Sequence, residues 1–260
     1  MIDDSWLLLW SGSATVDSVD QLFSPRDWAA GIDSGELRRV EQDWAAALRK
    51  AQEQGRRLFD SPAVRLCGLE VRSGRLQLRY ELTRYAYYVG ARSRSVPTPF
   101  SGNPDPTGTV VIGVTADSKI PIGKRHQDVD ANPGKFFCFG GFLHPTEDAS
   151  AEGIPDAFAC ARREWREETG SDLEGAGLEL ISIVYDRVYP HPEMAFLART
   201  AATSGEFVAS RWDAELSDLS FVPVDGIEEF VRRHRTDFTE SLVGAFEVLA
   251  KRYRIGRDAD

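Results

Sequence analysis

The chain has 260 residues, enough for one large domain or two small ones at roughly 150 residues per domain. With 42% hydrophobic, 28% charged and 10% aromatic residues, its composition is that of a globular protein and excludes collagenous, coiled-coil and largely disordered classes. Forty-one acids against 31 bases leave a net charge of −10, a field that repels nucleic acid and anionic membrane surfaces, so neither is expected as a partner.

Residues 6–10 read as a strand. Leu37, Val40, Trp44, Leu48 and Ala51 fall on one helical stripe over 36–54, with Asp33 and Glu36 placed for a capping box and Gly55 as the stop. Residues 64–71 and 75–82 form a predicted hairpin across Ser73-Gly74, and a short helix over 83–90 turns Tyr85, Tyr88 and Val89 inward. The density of Pro and Gly over 93–108 excludes regular structure and marks the domain boundary. Residues 1–100 are therefore read as a separately built, smaller α+β domain, and residues 101–260 as the second.

Beyond the boundary, 109–115 is an apolar strand. Residues 120–125 form a second strand, expected at an edge because Pro121 has no amide to donate. A third strand over 136–139 ends at Gly140-Gly141. A helix follows over about 155–169, then strands near 180–188, 194–200 and 221–224, and a terminal helix with Phe238, Leu242, Phe246 and Leu249 on one stripe. Cys67, Cys138 and Cys160 are odd in number and widely spaced, and read as reduced packing residues. No apolar run reaches the length of a membrane span, and the start of the chain lacks the basic region of a secretory signal, so a cytoplasmic location is expected. The oligomeric state is not encoded in any pattern of the sequence.

The segment that carries chemistry is Arg163-Glu164-Trp165-Arg166-Glu167-Glu168-Thr169-Gly170. At 100° per residue Glu164, Glu167 and Glu168 share one helix face, while Phe158 and Trp165 define the adjoining buried face. Arg163 reaches Glu167 one turn on, and Gly170 suits the left-handed residue that ends a helix. Three converging carboxylates repel one another unless a cation binds them, and hard oxygen ligands suit Mg²⁺ or Mn²⁺. Such an ion neutralises a pyrophosphate and activates water, which points to metal-assisted phosphoanhydride hydrolysis; the competing reading is a solvated acidic face. Lys119, Lys124, Arg125, His126 and Lys135 concentrate positive charge, diluted by Asp117, Asp128 and Asp130, and make Lys124 and Arg125 candidate substrate contacts.

This segment resembles the box of the Nudix hydrolase family, G-x5-E-x7-R-E-U-x-E-E-x-G-U with U a bulky aliphatic residue, if Trp165 stands at U. The resemblance implies an α/β/α sandwich with a mixed sheet. It implies Glu164, Glu168 and Arg163 as catalytic positions, with Glu164, Glu167, Glu168 and the Gly140 carbonyl as metal ligands and Gly141 against the substrate. Two departures stand out. Gly141 and Glu147 satisfy G-x5-E, but eight additional residues follow Glu147, leaving Glu147, Glu152 and Asp156 as alternatives for the first acidic role. Ser171 also replaces an aliphatic residue.

A narrower resemblance lies in Leu58-Phe59-Asp60-Ser61-Pro62, Arg65-Leu66 and Leu82-Thr83 with Tyr85. These look like the N-terminal domain of the Nudix branch that hydrolyses UDP-glucose and UDP-galactose to UMP and hexose 1-phosphate, a branch that also has an expanded box loop. The alternatives are a Nudix pyrophosphatase for ADP-ribose, a dinucleotide or coenzyme A, and a non-catalytic Nudix ligand sensor. Glu193 is a candidate base or extra ligand, His191 and His126 are candidate phosphate contacts, and Tyr85, Tyr87 and Tyr88 are read as packing residues or base-stacking ones.

Overall fold

The computed structural model describes residues 5–173, 177–209 and 216–257. The first part of the chain runs through β1 (Trp6–Ala14), β2 (Val19–Asp27), α1 (Ser34–Glu53), β3 (Pro62–Arg72), β4 (Arg75–Arg84) and α2 (Tyr85–Ala91). Asp33 caps α1 by accepting the amides of Gly35 (2.8 Å) and Glu36 (3.3 Å), two of the donors that a helix start leaves without intrahelical partners. Ser73 (φ 49°) and Gly74 (φ 78°) form the β3–β4 turn, both left-handed, the two-residue geometry that matches strand twist. Between 92 and 107 no described residue lies in a helix or strand.

The second part contains β5 (Gly108–Val114), β6 (Lys119–Arg125), β7 (Phe136–Phe137), β8 (Phe139–Phe142), α3 (Ala157–Thr169), β9 (Glu179–Asp186) and β10 (His191–Arg199). It continues with α4 (Ser204–Ala209), β11 (Leu216–Pro223), α5 (Ile227–Arg233) and α6 (Glu240–Arg257). Among the described residues, β1-β9-β10-β5-β8 form a five-stranded sheet, β11-β6-β7 a second sheet and β2-β4-β3 a third. The large sheet is mixed, since β10 and β5 are parallel and its other pairs antiparallel. Helix α3 packs on β5 and β8, and α6 on β1, β9 and β10. This is an α/β/α sandwich, and its core centres on Phe158, Trp165, Ile183, Phe196 and Phe246, each 1% exposed or less.

Three expectations are corrected. Residues 1–100 are not separately built: β1 pairs with β9, Trp6 opposite Asp186 and Leu8 opposite Val184, so one sheet holds strands from both sides of the boundary. The physical cause is the outer edge of β9, where Ser182, Ile183 and Val184 are fully buried and their backbone groups need a partner. Strand β3 is also tied across the boundary, because the Thr107 amide donates to the Val64 carbonyl (2.7 Å) and the Val64 amide to the Leu143 carbonyl (3.1 Å).

The second correction concerns β6, which is not an edge strand but lies between β11 and β7. Pro121 is tolerated because β7 pairs only with Gly123 and Lys124, leaving β11 as the single neighbour at the proline. The third is the strand expected over 136–139, which is broken at Cys138: β7 joins the small sheet and β8 the large one. The three cysteines are free, Cys138 and Cys160 being buried. Among the described residues no helix is long and apolar enough to cross a membrane.

Candidate active site

Helix α3 carries the site. Asp156 caps it, accepting the Phe158 amide (2.9 Å), and Gly170 ends it at φ 68°. Its inner face is anchored by Phe158 against Phe196 (centroids 5.0 Å apart) and Trp165 against Phe139 (5.1 Å). Trp165 fits where an aliphatic residue is expected because Gly113 of β5 makes room; a Cβ there would lie 2.5 Å from the indole ring. Its indole Nε1 donates to Ser171 Oγ (3.1 Å), and Ser171 also bonds Thr169 Oγ1 (2.8 Å). The Ser171 departure is therefore matched to the tryptophan at the aliphatic position, since a buried indole N–H requires an acceptor and Ser171 supplies it.

On the outer face, Arg163, Glu164, Glu167 and Glu168 all line one cavity of about 610 Å³, together with Gly140 and Gly141. Glu168, 6% exposed, accepts the Gly140 amide at 2.7 Å. Glu164 sits over Gly141, where a Cβ would lie 2.4 Å from its carboxylate, so any larger residue there would displace the Glu164 side chain. Burial pushes the Glu164 carboxyl up to about 7, with Arg163 opposing and Glu167 adding to the shift. Arg163 bonds Glu164 (2.8 Å) and Glu167 (3.1 Å). Burial disfavours its charge, but Asp148 and Glu164 outweigh that and hold it protonated.

The expected convergence of three carboxylates needs correction. Among the described residues no three acidic, histidine or cysteine side chains sit close enough to hold an ion, because Arg163 pairs with Glu164 and Glu167 while Glu168 turns to the Gly140 amide. Each carboxylate satisfies its charge locally. The donor set nevertheless fits a hard divalent cation: Glu164 and Glu168 are one turn apart on the cavity wall, and the Gly141 cradle leaves room at the Glu164 oxygens.

The acid that holds Arg163 is one the sequence reasoning missed. Asp148, 1% exposed, accepts Arg163 Nε (2.7 Å) and Nη2 (3.0 Å), and also the His144 amide (2.8 Å). None of the three alternatives does so: Glu147 lines the cavity with its amide on His144 Nδ1, Glu152 bonds Ser150, and Asp156 caps α3. The additional residues form an excursion closed by the Asp156 amide on the Asp148 carbonyl (2.9 Å), which returns the chain beside Asp148. The available signal was adjacency to Glu147, but spacing alone cannot separate two neighbouring acids ahead of an insertion.

Of the predicted basic contacts, Arg125 lines the cavity and Lys124 does not. The Lys124 ammonium lies over the Phe136 ring (5.3 Å), because alternation along β6 sends it to the opposite face. Arg125 stacks on Phe137 (5.2 Å), donates to the Ala131 carbonyl (3.1 Å), and among the described residues pairs with no carboxylate. Two of the three acids that dilute this cluster in sequence are taken by the N-terminal region, Asp128 by Arg57 (2.8 Å) and Asp130 by Arg92 (3.1 Å) and Arg56 (3.6 Å), while Asp117 pairs with Lys119 (2.9 Å). His126 is not among the cavity residues.

Phe59, Asp60, Ser61, Pro62 and Tyr85 close another wall of the cavity. Asp60 accepts the Ala86 amide (3.0 Å) and Arg84 Nε (2.8 Å), tying this segment to the start of α2. Tyr85 bonds Asp130 (3.1 Å) and packs on Phe142, Tyr88 is buried, and Tyr87 lies on Trp28.

A buried polar group completes the cavity. His191 Nδ1 lies 2.6 Å from the Tyr189 carbonyl and Nε2 3.3 Å from Glu193, which also accepts Ser241 Oγ (3.1 Å). Burial opposes the charged imidazole, but Glu193 and Asp186 prevail and raise His191 to about 9. Because this exceeds the ordinary 6.5, the stabilisation is fully present below pH 6.5 and lost as pH rises through 9. Its size is about 3 kcal/mol from the span of the shift. Melting temperatures between pH 6 and 10 should fall more steeply for the wild type than for His191→Asn; parallel curves would contradict the charged pair.

Residues 105–242, over half of the chain, match the sequence model of the NUDIX domain, and the chain belongs to the Nudix hydrolase family. No curated protein matches it. Solved structures similar to it include the MutT protein of Methanosarcina mazei (14% identity, 56% of this chain against 94% of that one, TM-score 0.40). A C. elegans Ap4A hydrolase is similar at 12% identity, 58% and 98% coverage and TM-score 0.40. The NUDIX domain of Shewanella oneidensis NrtR, solved with ADP ribose, is similar at 14% identity, 63% and 96% coverage and TM-score 0.41.

Proposed function

We propose that the chain is a Mg²⁺-dependent pyrophosphatase for a nucleoside diphosphate sugar, UDP-glucose or UDP-galactose, giving UMP and hexose 1-phosphate. What supports this is the meeting, in one cavity of about 610 Å³, of the α3 glutamates with the wall built by residues 59–62 and Tyr85. That wall comes from the segment whose sequence resembles the UDP-sugar branch, and the volume is within the range of small-molecule sites.

Glu164, Glu167 and Glu168, with the Gly140 carbonyl, would hold Mg²⁺ or Mn²⁺, which when bound neutralises the pyrophosphate and lowers the pKa of an attacking water. The chain's own groups do the rest. Gly141 keeps the floor low enough for a phosphate to approach Glu164, Arg163 bridges Glu164 and Glu167, and Arg125 is the cation aimed at the substrate's negative charge. Phe142 and Tyr85 keep that side of the pocket apolar.

Purified protein with Mg²⁺ should be assayed against UDP-glucose, UDP-galactose, ADP-ribose, dinucleotides and coenzyme A, with products identified by mass. UMP and hexose 1-phosphate are expected. Turnover of ADP-ribose with UDP-sugars untouched would refute the branch, and no turnover across the panel would refute the activity.

A further inference from the structure

The cavity wall also includes the start of a helix. Thr239 and Ser241, at the start of α6, line the cavity. The Val243 amide donates to the Thr239 carbonyl (3.2 Å), so the amides of residues 240–242 precede the first intrahelical bond of an 18-residue helix. A threonine in this position ordinarily turns its hydroxyl back onto one of those amides. Thr239 does not: it is 2% exposed, and its Oγ1 has no hydrogen-bond partner among the described residues. Thr107 and Ser182 also have buried hydroxyls without partners, but of the three only Thr239 lines the cavity, where a bound oxyanion could satisfy it.

The charge around it favours an anion. Arg125 reaches the cavity from the other side of β7, stacked on Phe137, while the Thr239 amide bonds the Phe136 carbonyl (3.4 Å). The acids nearby are paired: Glu193 with His191 (3.3 Å), and Glu240 with Arg235 (2.6 Å) and Lys135 (3.7 Å), while Ser241 and Ser5 donate hydrogen bonds to them. The helix dipole adds positive potential at the same point.

We infer that the start of α6, with the Thr239 hydroxyl, is a phosphate subsite that takes the phosphate of a nucleoside diphosphate derivative lying away from the α3 glutamates. It rests on the proposed activity for its substrate, but its test does not. The probe is inorganic phosphate, titrated calorimetrically in metal-free buffer against the wild type, Thr239→Val and Thr239→Ser. A hydrogen bond to a charged group is at stake, so Thr239→Val should bind about tenfold or more weakly, and Thr239→Ser within about threefold of the wild type. Thr239→Val should melt no lower than the wild type, because a methyl replaces a hydroxyl that has no partner to lose.

Equal affinity in Thr239→Val and the wild type, equal loss in the valine and serine variants, or no phosphate binding by the wild type would each overturn the subsite. A substrate panel without turnover would instead sink the activity and leave this result standing.

Discussion

Glu168→Gln is expected to cost more than the roughly 10- to 100-fold typical of losing a group that only supports a metal ligand, read as kcat/KM with Mg²⁺. Glu168 lies at 6% exposure on the cavity wall, one turn from Glu164, and the two would share the ion. The fold should survive, because the amide oxygen of glutamine still accepts the Gly140 amide now held at 2.7 Å. The melting temperature should therefore hold close to the wild type. A solvated acidic face predicts near-wild-type turnover instead. Retained activity with unchanged stability would therefore remove Glu168 from the metal site, and a lost fold would show that its bond to Gly140 is structural before it is catalytic.

Much of this site was legible in the sequence because it rests on local periodicity. A helix places residues i, i+3 and i+4 on one face regardless of the rest of the fold, so Arg163, Glu164, Glu167 and Glu168 could be set on one wall from their spacing alone. The Gly170 stop was equally local, whereas Gly140 and Gly141 lie inside β8, paired with Val110 and Thr109, and do not end a strand. Spacing could not say what each carboxylate does with its charge. The glutamates were expected to converge, but Arg163 intervenes, and its own partner Asp148 lies across a loop whose path depends on the inserted residues.

The larger errors were all non-local. Strand β1 crosses the sequence boundary to cover β9, and β6 gains β7 as a second neighbour in spite of Pro121. Both follow from which buried edge needs a partner, a quantity that one strand's pattern does not contain. The same is true of the cavity. The tie of Arg56, Arg57 and Arg92 to Asp128 and Asp130, which leaves Arg125 without a carboxylate, joins residues more than 30 positions apart in the chain. The Pro/Gly-rich stretch over 93–108 was read correctly as irregular, and then over-read as a boundary between bodies. It is a connection across one core, pinned by Trp28 Nε1 on the Gly102 carbonyl (2.6 Å) and Thr83 Oγ1 on the Pro104 carbonyl (3.1 Å).

Asp148→Ala should be the most destabilising single change near the site. The Asp148 side chain is fully buried, and its removal strips two bonds from the Arg163 guanidinium and the acceptor from the His144 amide. Breaking a buried pair by deleting one partner costs about 3–5 kcal/mol. The lower end applies here, because Arg163 keeps one-fifth of its side chain in solvent and retains Glu164 and Glu167. For a chain of this size that corresponds to a drop of about 6 °C in melting temperature.

Activity should fall as well, since an Arg163 released from Asp148 binds the two glutamates more tightly and competes with a cation for them. Asp148→Asn keeps an acceptor for the His144 amide and should cost about half as much. A double-mutant cycle with Arg163→Ala separates the pair from the surrounding loop. If Asp148 acts through Arg163, its loss costs far less once the arginine is gone, whereas additive effects would break the connection. Glu147→Ala completes the comparison. Glu147 has the spacing of the box but only lines the cavity, so its loss should leave the unfolding free energy within about 0.5 kcal/mol of the wild type. A large loss in that variant, with Asp148→Ala nearly neutral, would return the anchoring role to the residue that the spacing names.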